Sequence, residues 1–554
     1  MTILTLNKKQ LEQEIGKIDE KMQEKIALFG TPIENVNDEE VSVEVFPNRP
    51  DLLSFQGFSR ALLCFLKKPG MQTYKTEKPE KDYKVIIDKS VKKVRPFTAC
   101  AIVKDLKLND EKIKEIIDIQ EKLHGSYGRN RKKIAVGIYP LEAIRLPITF
   151  LAKKPEDIKF QPLEFPKEIN GRQILNQHPA GREYANLLKD KEVFPIFQDA
   201  NDEILSMPPI INSNKTGKIT EKTKEVFIEC SGFNLNYLQK ALNMIVTSFS
   251  DMGGKIYSME NQDKQRTISP DLEPEKMQFS VENINKTLGL SLTEKETENL
   301  LAKMGIGYEK NKEQSTALIP AYRTDILHEI DLSEEIAIAY GYDNFIPELP
   351  KISTIGEENS VAVLKRKIEE VLTGLNLLET STYYLSTKEK QFKNINIKEF
   401  KQMMIEVEET KTENNILRNS LLASSITILS ENSDAEYPQK IFELGKVFEH
   451  DEKSEVQIAE TEKLCISLCY EKANFTEIKQ VLDYMMRMLN IEYEIKAGEN
   501  LNPAFIDGRF GEIIINKNSK KHSVGFLGEI SPVVLKNNKI KMPVASLEIE
   551  IEEL

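Results

Sequence analysis

The stretch AYRTDILHEIDLSEEIAIAYGYD, residues 321–343, decides how the rest of the chain is read. In a helix its Asp331, Glu334 and Glu335 stand at i, i+3 and i+4, within an arc of about 100°. Glu334 then falls between Ile330 and Ile338, an awkward place for an unpaired carboxylate. Like charges at this spacing oppose one another by roughly 0.2–0.5 kcal/mol per pair. Asp325, at the start of the same helix, adds a fourth carboxylate. Hard oxygen donors of this kind suit magnesium or calcium, not zinc. A solvated helix start explains the same acids, because the macrodipole favours negative charge there and Glu329 belongs to that surface. Spacing alone leaves both readings open.

Outward from this stretch, a compact unit is expected over 274–346, with polar, proline-bearing QDKQRTISPDLEPEKM (262–277) as the linker before it. From 82 to 265, strand-like runs YKVIID, KIAVGIY and EVFIEC alternate with helical stretches. The last of these, LNYLQKALNMIVTSFSDMG, is apolar on one side and ends at glycines. Residues 1–80 open with the helix pattern KKQLEQEIGKI, which puts Leu11, Ile15 and Ile18 on one face. The alternating strand VSVEVF follows, then a turn marked by Pro47 and Pro50, where Asp51 is placed to cap the next helix. Charged KTEKPEKDYK (75–84) reads as a linker. The section 352–554 mixes amphipathic helices with long alternating strands. No internal repeat of 20–50 residues is visible.

Composition narrows the function classes. A chain of 554 residues exceeds one hydrophobic core, so about three to five domains are expected. Apolar residues at 40% and charged residues at 30% are the balance of a soluble protein. No run approaches the ~18 apolar residues of a membrane span, and the apolar start is too short for a secretory signal. A cytoplasmic protein is expected. The five cysteines form no CxxC pair, and Cys465 and Cys469 in LCISLC read as buried thiols. None of the five histidines forms an HxxxH pair, which argues against a zinc hydrolase. The formal charge of −12 means that any RNA must be held by local basic patches or by a partner chain. Arg129, Arg131, Lys132 and Lys133 in YGRNRKKIAVGIY form one such patch, or else a solvated loop before a strand.

The 321–343 stretch resembles, position for position, the magnesium-associated acidic motif of phenylalanine–tRNA ligase beta subunits of the archaeal and eukaryotic type. Together with FSVENINKTLGLSLTEKETENLLAKMGIGYE it looks like that family's winged-helix-like domain. PNRPDLLSFQGFSRAL is similar to the N-terminal motif. YGRNRKKIAVGIYPLEAI, HPAGREYANLL and LSMPPIINSNKTGKIT resemble the editing domain, and ILRNSLL, IFELGKVFE and FIDGRFGEI the C-terminal domain. The length, with no anticodon-binding extension after these blocks, fits the archaeal branch.

The resemblance implies an α+β multidomain chain: an N-terminal α/β module (1–80), an editing domain (82–265), a winged-helix-like domain (274–346) and a degenerate class II synthetase fold (352–554). It implies magnesium at Asp325, Asp331, Glu334 and Glu335. It implies tRNA and an alpha subunit as partners in an α2β2 heterotetramer, with ATP bound and phenylalanine activated on the alpha subunit. No synthetic catalytic residue is expected in this chain, since IFELGKVFEHD and SVGFLGEISPVVL lack the arginines that clamp ATP phosphates. There is no P-loop either.

Proofreading addresses a real physical difficulty. An apolar pocket rejects one added hydroxyl by only roughly 10²-fold, so a second site that hydrogen-bonds the tyrosine phenol supplies the rest. The matching positions are Phe197 for the ring wall, Glu229 for the phenol, and Ser206, Asn212 and Ser231 as polar contacts. Glu229 and Ser231 depart from the aspartate and threonine that are usual in the family. Two rival readings are a stand-alone deacylase, which would need no synthetase-like fold, and a purely structural subunit, which could lose the polar editing residues.

Overall fold

The computed structural model describes residues 2–554 apart from 264–265, 312–313, 350–353, 399–402, 409, 411, 498–501 and 518–519. The chain forms two compact units, Met1–Leu349 and Pro350–Leu554. Both mix helices with predominantly antiparallel sheets. Among the described residues no helix is long and apolar enough to cross a membrane.

In the first unit, Thr2–Asn7, Glu40–Val45 and Ile33–Val36 make a three-stranded sheet with Glu40–Val45 in the middle. Alternation buries Leu4 and Leu6 against Val41, Val43 and Val45. The helix Lys8–Ile15 is capped by Asn7 and stops at Gly16, whose φ of 95° suits glycine. Ile18 is buried as expected, but lies beyond the helix. Ser54, not Asp51, caps the next helix, Phe55–Leu66, by accepting from Gly57 N at 3.0 Å. Asp51 is instead gripped at two points by Arg49, both at 2.9 Å. A carboxylate beside a guanidinium gains more than one facing a lone amide.

An eleven-stranded sheet dominates this unit. Its path runs Ile211–Asn212, Ile204–Met207, Phe194–Gln198, Ile148–Lys153, Lys84–Ile87, Lys255–Gln262, Phe97–Lys104, Val226–Gly232, Ile134–Pro140. Both expected linkers contribute to it. Thr76–Glu77 pairs in parallel with Ile256 and Tyr257, and Arg266–Ser269 pairs with Gln262 back to Met259. Ser269 is buried, with its Oγ 2.7 Å from Cys100 O and 2.9 Å from Cys100 N. Composition misled here because edge pairing uses backbone groups and leaves charged side chains free to face water. Lys264 and Gln265 of the second linker lie outside the described residues, as does Ile352 at the expected start of the last domain.

A third sheet, Glu275–Phe279, Gln314–Ile319 and Gly307–Asn311, carries the helices Val281–Leu288, Glu294–Lys303 and Glu329–Tyr340. One hydrophobic core runs from Leu4 through Phe58, Phe249 and Ile284 to Ala339, so the three N-terminal segments share their packing.

The second unit has a seven-stranded sheet in the order Leu378–Glu379, Gln439–His450, Ile458–Cys469, Val544–Glu550, Lys520–Ile530, Phe505–Lys517, Tyr493–Lys496. Every pairing is antiparallel except that of Leu378–Glu379. Ser360–Gly374, Leu421–Glu431 and Phe475–Met488 are its longer helices. Cys465 and Cys469 are buried free thiols, as their alternating run suggested.

Candidate functional site

Strand register assembles the candidate site from two rows. Phe197, Ser206 and Asn212 stand side by side across three strands. Glu229 stands between Cys100 and Gly137. The two rows belong to opposite ends of the sheet path, and the sheet curls until those ends meet: Tyr139 Oη lies 3.4 Å from Asn212 Oδ1. A cleft of about 110 Å³ opens there, lined by Glu229, Ser206, Asn212, Gln120, His124 and Arg131 among others.

Two polar atoms of residues that line this cleft are buried and make no hydrogen bond, Glu229 Oε2 and Ser206 Oγ. Burial without a partner costs roughly 1–3 kcal/mol per group, which makes these atoms the natural receptors for a ligand. Glu229 is 2% exposed, and burial lifts its pKa from 4.5 to about 8 although Arg95 pulls the other way. It is therefore a neutral carboxyl at pH 7. Its Oε1 accepts from the Tyr139 hydroxyl at 3.3 Å. Gly137 makes this approach feasible, for a Cβ there would lie 2.2 Å from Tyr139 Oη and 2.6 Å from Glu229 Oε1.

The other expected residues lie near but play different parts. Phe197 is fully buried and stacks on Phe150 at 4.4 Å, in the layer beneath the cleft. Ser231 is fully buried and engaged by Arg95, whose Nε donates to its Oγ at 3.1 Å and whose Nη2 donates to its carbonyl at 2.6 Å. Burial lowers the Arg95 guanidinium to about 10, with the Glu229 charge opposing.

The basic patch divides. Arg129, Asn130 and Arg131 all have left-handed φ, 48°, 52° and 63°, a run that costs non-glycine residues roughly 1–2 kcal/mol each. It turns Arg131 into the cleft mouth. There Nη2 bridges Glu121 at 2.9 and 3.0 Å, and Nη1 donates to Ile210 O at 2.9 Å. Burial works against the Glu121 anion, but His124 and Arg131 outweigh it and hold the carboxyl at about 2. His124 Nε2 accepts from Val136 N at 2.8 Å, and burial depresses its pKa. Arg129 and Lys132 stay exposed. Gln120, Glu121 and His124 lie on the helix Asp110–Gly125 and carry no local sign of a site. The tertiary fold brings them to the cleft.

The acidic motif behaves differently. Asp325, Asp331, Glu334 and Glu335 all line one cavity of about 700 Å³ beside Arg49 and Asn48. Arg323 grips Asp325 at two points, 2.8 and 2.6 Å, and reaches Glu335 Oε1 at 2.9 Å. Burial resists the Asp325 charge, yet Arg323 and Arg49 hold its pKa down at about 2. Asp331 accepts from Leu327 N and His328 N, both at 2.7 Å, closing the helix start. Glu334 is exposed and so is Ile330, so that wheel position is a solvent face rather than the buried one its neighbours suggested. Glu335 Oε2 is buried without a partner. Among the described residues no group of three carboxylate, histidine or cysteine side chains is set to hold a metal ion. As arranged, with Arg323 already the counter-cation, these residues do not fit magnesium.

The model of the phenylalanyl tRNA synthetase beta chain CLM domain matches residues 346–551, and that of the tRNA synthetase B5 domain matches residues 277–342. The phenylalanine–tRNA ligase beta subunit of Thermococcus sibiricus is 38% identical over 505 residues, covering 91% of this chain and 88% of the relative. That of Archaeoglobus fulgidus is 35% identical over 555 residues, covering 100% of this chain and 98% of the relative. The chain belongs to the phenylalanine–tRNA ligase beta-subunit family. Among solved structures, an N-terminal fragment of the Pyrococcus horikoshii phenylalanyl-tRNA synthetase beta subunit is similar, with 33% identity and a TM-score of 0.58. It covers 61% of this chain and 99% of the fragment.

The C-terminal unit of this family member holds an arginine that sequence reading passed over. Arg418, inside ILRNSLL, is 1% exposed, and its Nη1 lies 2.6 Å from Glu443 Oε1. It also donates to Thr382 Oγ1 at 2.7 Å and, through Nε, to Lys446 O at 2.8 Å. With these partners made within the fold, Arg418 is not presented to a phosphate.

Proposed function

We propose that the chain is the proofreading and assembly subunit of a cytoplasmic phenylalanine–tRNA ligase, partnered with an alpha subunit as an α2β2 heterotetramer. The alpha subunit binds ATP and attaches phenylalanine to its tRNA, with magnesium as the companion of ATP there. In this reading 352–554 is a class II-like fold without synthetic chemistry, and 274–346 is a winged-helix-like module. The engagement of Arg418 by Glu443, Thr382 and a backbone carbonyl supports the first point.

Within 82–265 the cleft hydrolyses tyrosine mistakenly joined to the tRNA. Water adds to the ester carbonyl, the bond to the ribose oxygen breaks, and that oxygen leaves with a proton. One observation carries the reading: Glu229 Oε2 and Ser206 Oγ, both buried and unpartnered, belong to residues that line one cleft. A tyrosine phenol would satisfy them. A phenylalanine ring would leave them unpaired, and a site built around hydrogen bonds rejects the analogue that lacks them. Asn212 contributes a third polar contact, Phe197 backs the ring wall through Phe150, and Ser231 holds Arg95 beneath.

The test is deacylation of preformed tyrosyl- and phenylalanyl-tRNA by the reconstituted enzyme. Glu229→Ala is expected to slow tyrosyl-tRNA hydrolysis by at least about tenfold, equivalent to ~1.4 kcal/mol in the barrier. Unchanged hydrolysis in an intact assembly would remove Glu229 from the site.

A further inference from the structure

Two groups named for reading a substrate phenol, Glu229 and Asn212, already lie against a phenol of the protein itself. Tyr139 is fully buried, with its hydroxyl 3.3 Å from Glu229 Oε1 and 3.4 Å from Asn212 Oδ1. Gly137 leaves the space that this hydroxyl fills. Glu229, Ser206 and Asn212 line the cleft, and Tyr139 stands behind them.

We infer that Tyr139 is a positioning residue for phenol recognition: its hydroxyl engages Glu229 Oε1 and leaves Oε2 as the carboxyl oxygen offered to a tyrosyl ester. The inference rests on the proofreading function proposed above. A neutral carboxyl has two unlike oxygens, one an acceptor and one a hydroxyl donor. Tyr139 has one proton to donate, and giving it to Oε1 at 3.3 Å rather than to Asn212 Oδ1 at 3.4 Å makes that carboxyl oxygen the acceptor. The carboxyl proton then sits on Oε2, which is the buried oxygen without a partner at the cleft. An incoming phenol oxygen accepts from Oε2–H. A phenylalanyl ring cannot. Tyr139 thus does for this carboxyl what a carboxylate partner does for a histidine, choosing which of two atoms carries the proton. Burial keeps the carboxyl neutral up to about pH 8 and so keeps this choice meaningful.

Tyr139→Phe removes the hydroxyl and keeps the ring, which stacks on Phe227 at 5.8 Å. In the reconstituted enzyme its KM for tyrosyl-tRNA is expected to rise about tenfold with little change in kcat, so that the preference over phenylalanyl-tRNA falls by the same factor. Glu229→Gln presents a carbonyl to Tyr139 and an NH2 to the cleft. It is expected to keep only part of the tyrosyl preference, an amide being a weaker donor than a carboxyl, to lack the decline expected of wild type above about pH 8, and to lose the remaining preference once combined with Tyr139→Phe. A Tyr139→Phe enzyme whose preference is unchanged or increased, in a series where Glu229→Ala slows hydrolysis by about tenfold or more, overturns the inference and leaves proofreading standing. Full hydrolysis by Glu229→Ala overturns both. Should Tyr139→Phe fail to fold, Glu229→Gln decides alone: loss of the preference in the otherwise unaltered enzyme rejects the donor role of Oε2.

Discussion

Glu229 and Glu443 both carry carboxyl side chains buried on sheet strands, 2% and 3% exposed, yet their surroundings have opposite logic. Glu443 is closed on every side. Oε1 takes Arg418 Nη1 at 2.6 Å and Thr382 N at 3.1 Å, and Thr382 Oγ1 lies 2.9 Å from both carboxyl oxygens. Glu229, which lines a cleft, keeps one oxygen on Tyr139 and leaves the other buried and unpaired. A fully paired buried charge holds a fold together. An incompletely paired neutral carboxyl is held in readiness, and the fold bears its cost. Glu335 lies between the two, with one oxygen on Arg323 and one unpaired.

The largest expected effect falls on the closed pair. Arg418→Met should destabilise the second unit by about 3–5 kcal/mol, because it strands Glu443 in a dry interior. Arg418→Met with Glu443→Leu should recover much of that loss in urea melts of the full chain. A single substitution that costs nothing would mean that Glu443 is not held in place by its partner.

A smaller loss, near 3 kcal/mol, is expected for Arg323→Met, since Arg49, 3.9 Å from Asp325, still offsets part of the freed charge. Millimolar magnesium should raise the Tm of this variant by supplying the missing cation, and leave wild type unmoved. A wild-type Tm that climbs with magnesium would show that the ion displaces Arg323 from Glu335.

Glu229 supplies the smallest step within a single pH unit, and the opposite sign. Its folded pKa, about 8, lies above the ordinary 4.5, so its stabilising contribution is full below 4.5 and is lost as pH rises through 8. Glu229→Gln removes that dependence. Relative to wild type it should gain about 1 kcal/mol between pH 5 and pH 6, with a level difference above pH 8. A wild-type curve parallel to the variant's across this window would mean that Glu229 is ionised in the fold, and the contrast with Glu443 would disappear.

Much of the architecture was legible locally. Alternation in EVFIEC and KIAVGIY located the strands of Glu229 and Tyr139, and apolar spacing over 8–18 with the terminal glycines after 235–251 located helices. The candidate residues 206, 212 and 229 came from motifs and reached one cleft. What escaped were groups whose role depends on a distant partner. Arg418 was hidden because a lone arginine in ILRNSLL carries no local sign that Glu443, 25 residues on, will enclose it. The strands inside the two expected linkers escaped because backbone pairing leaves little mark on composition.

By itself the sequence determined the periodicities and the set of chemical groups available, because those depend on neighbours within a few residues. Tertiary structure alone decided which of those groups end up paired. Sheet closure brings Tyr139 to Asn212 across 73 residues and to Glu229 across 90, and it stops one oxygen short of satisfying that carboxyl. Hydrogen bonds form only within about 3.5 Å, so register and curvature, to which local sequence is nearly blind, separate a sealed ion pair from an atom waiting for a ligand.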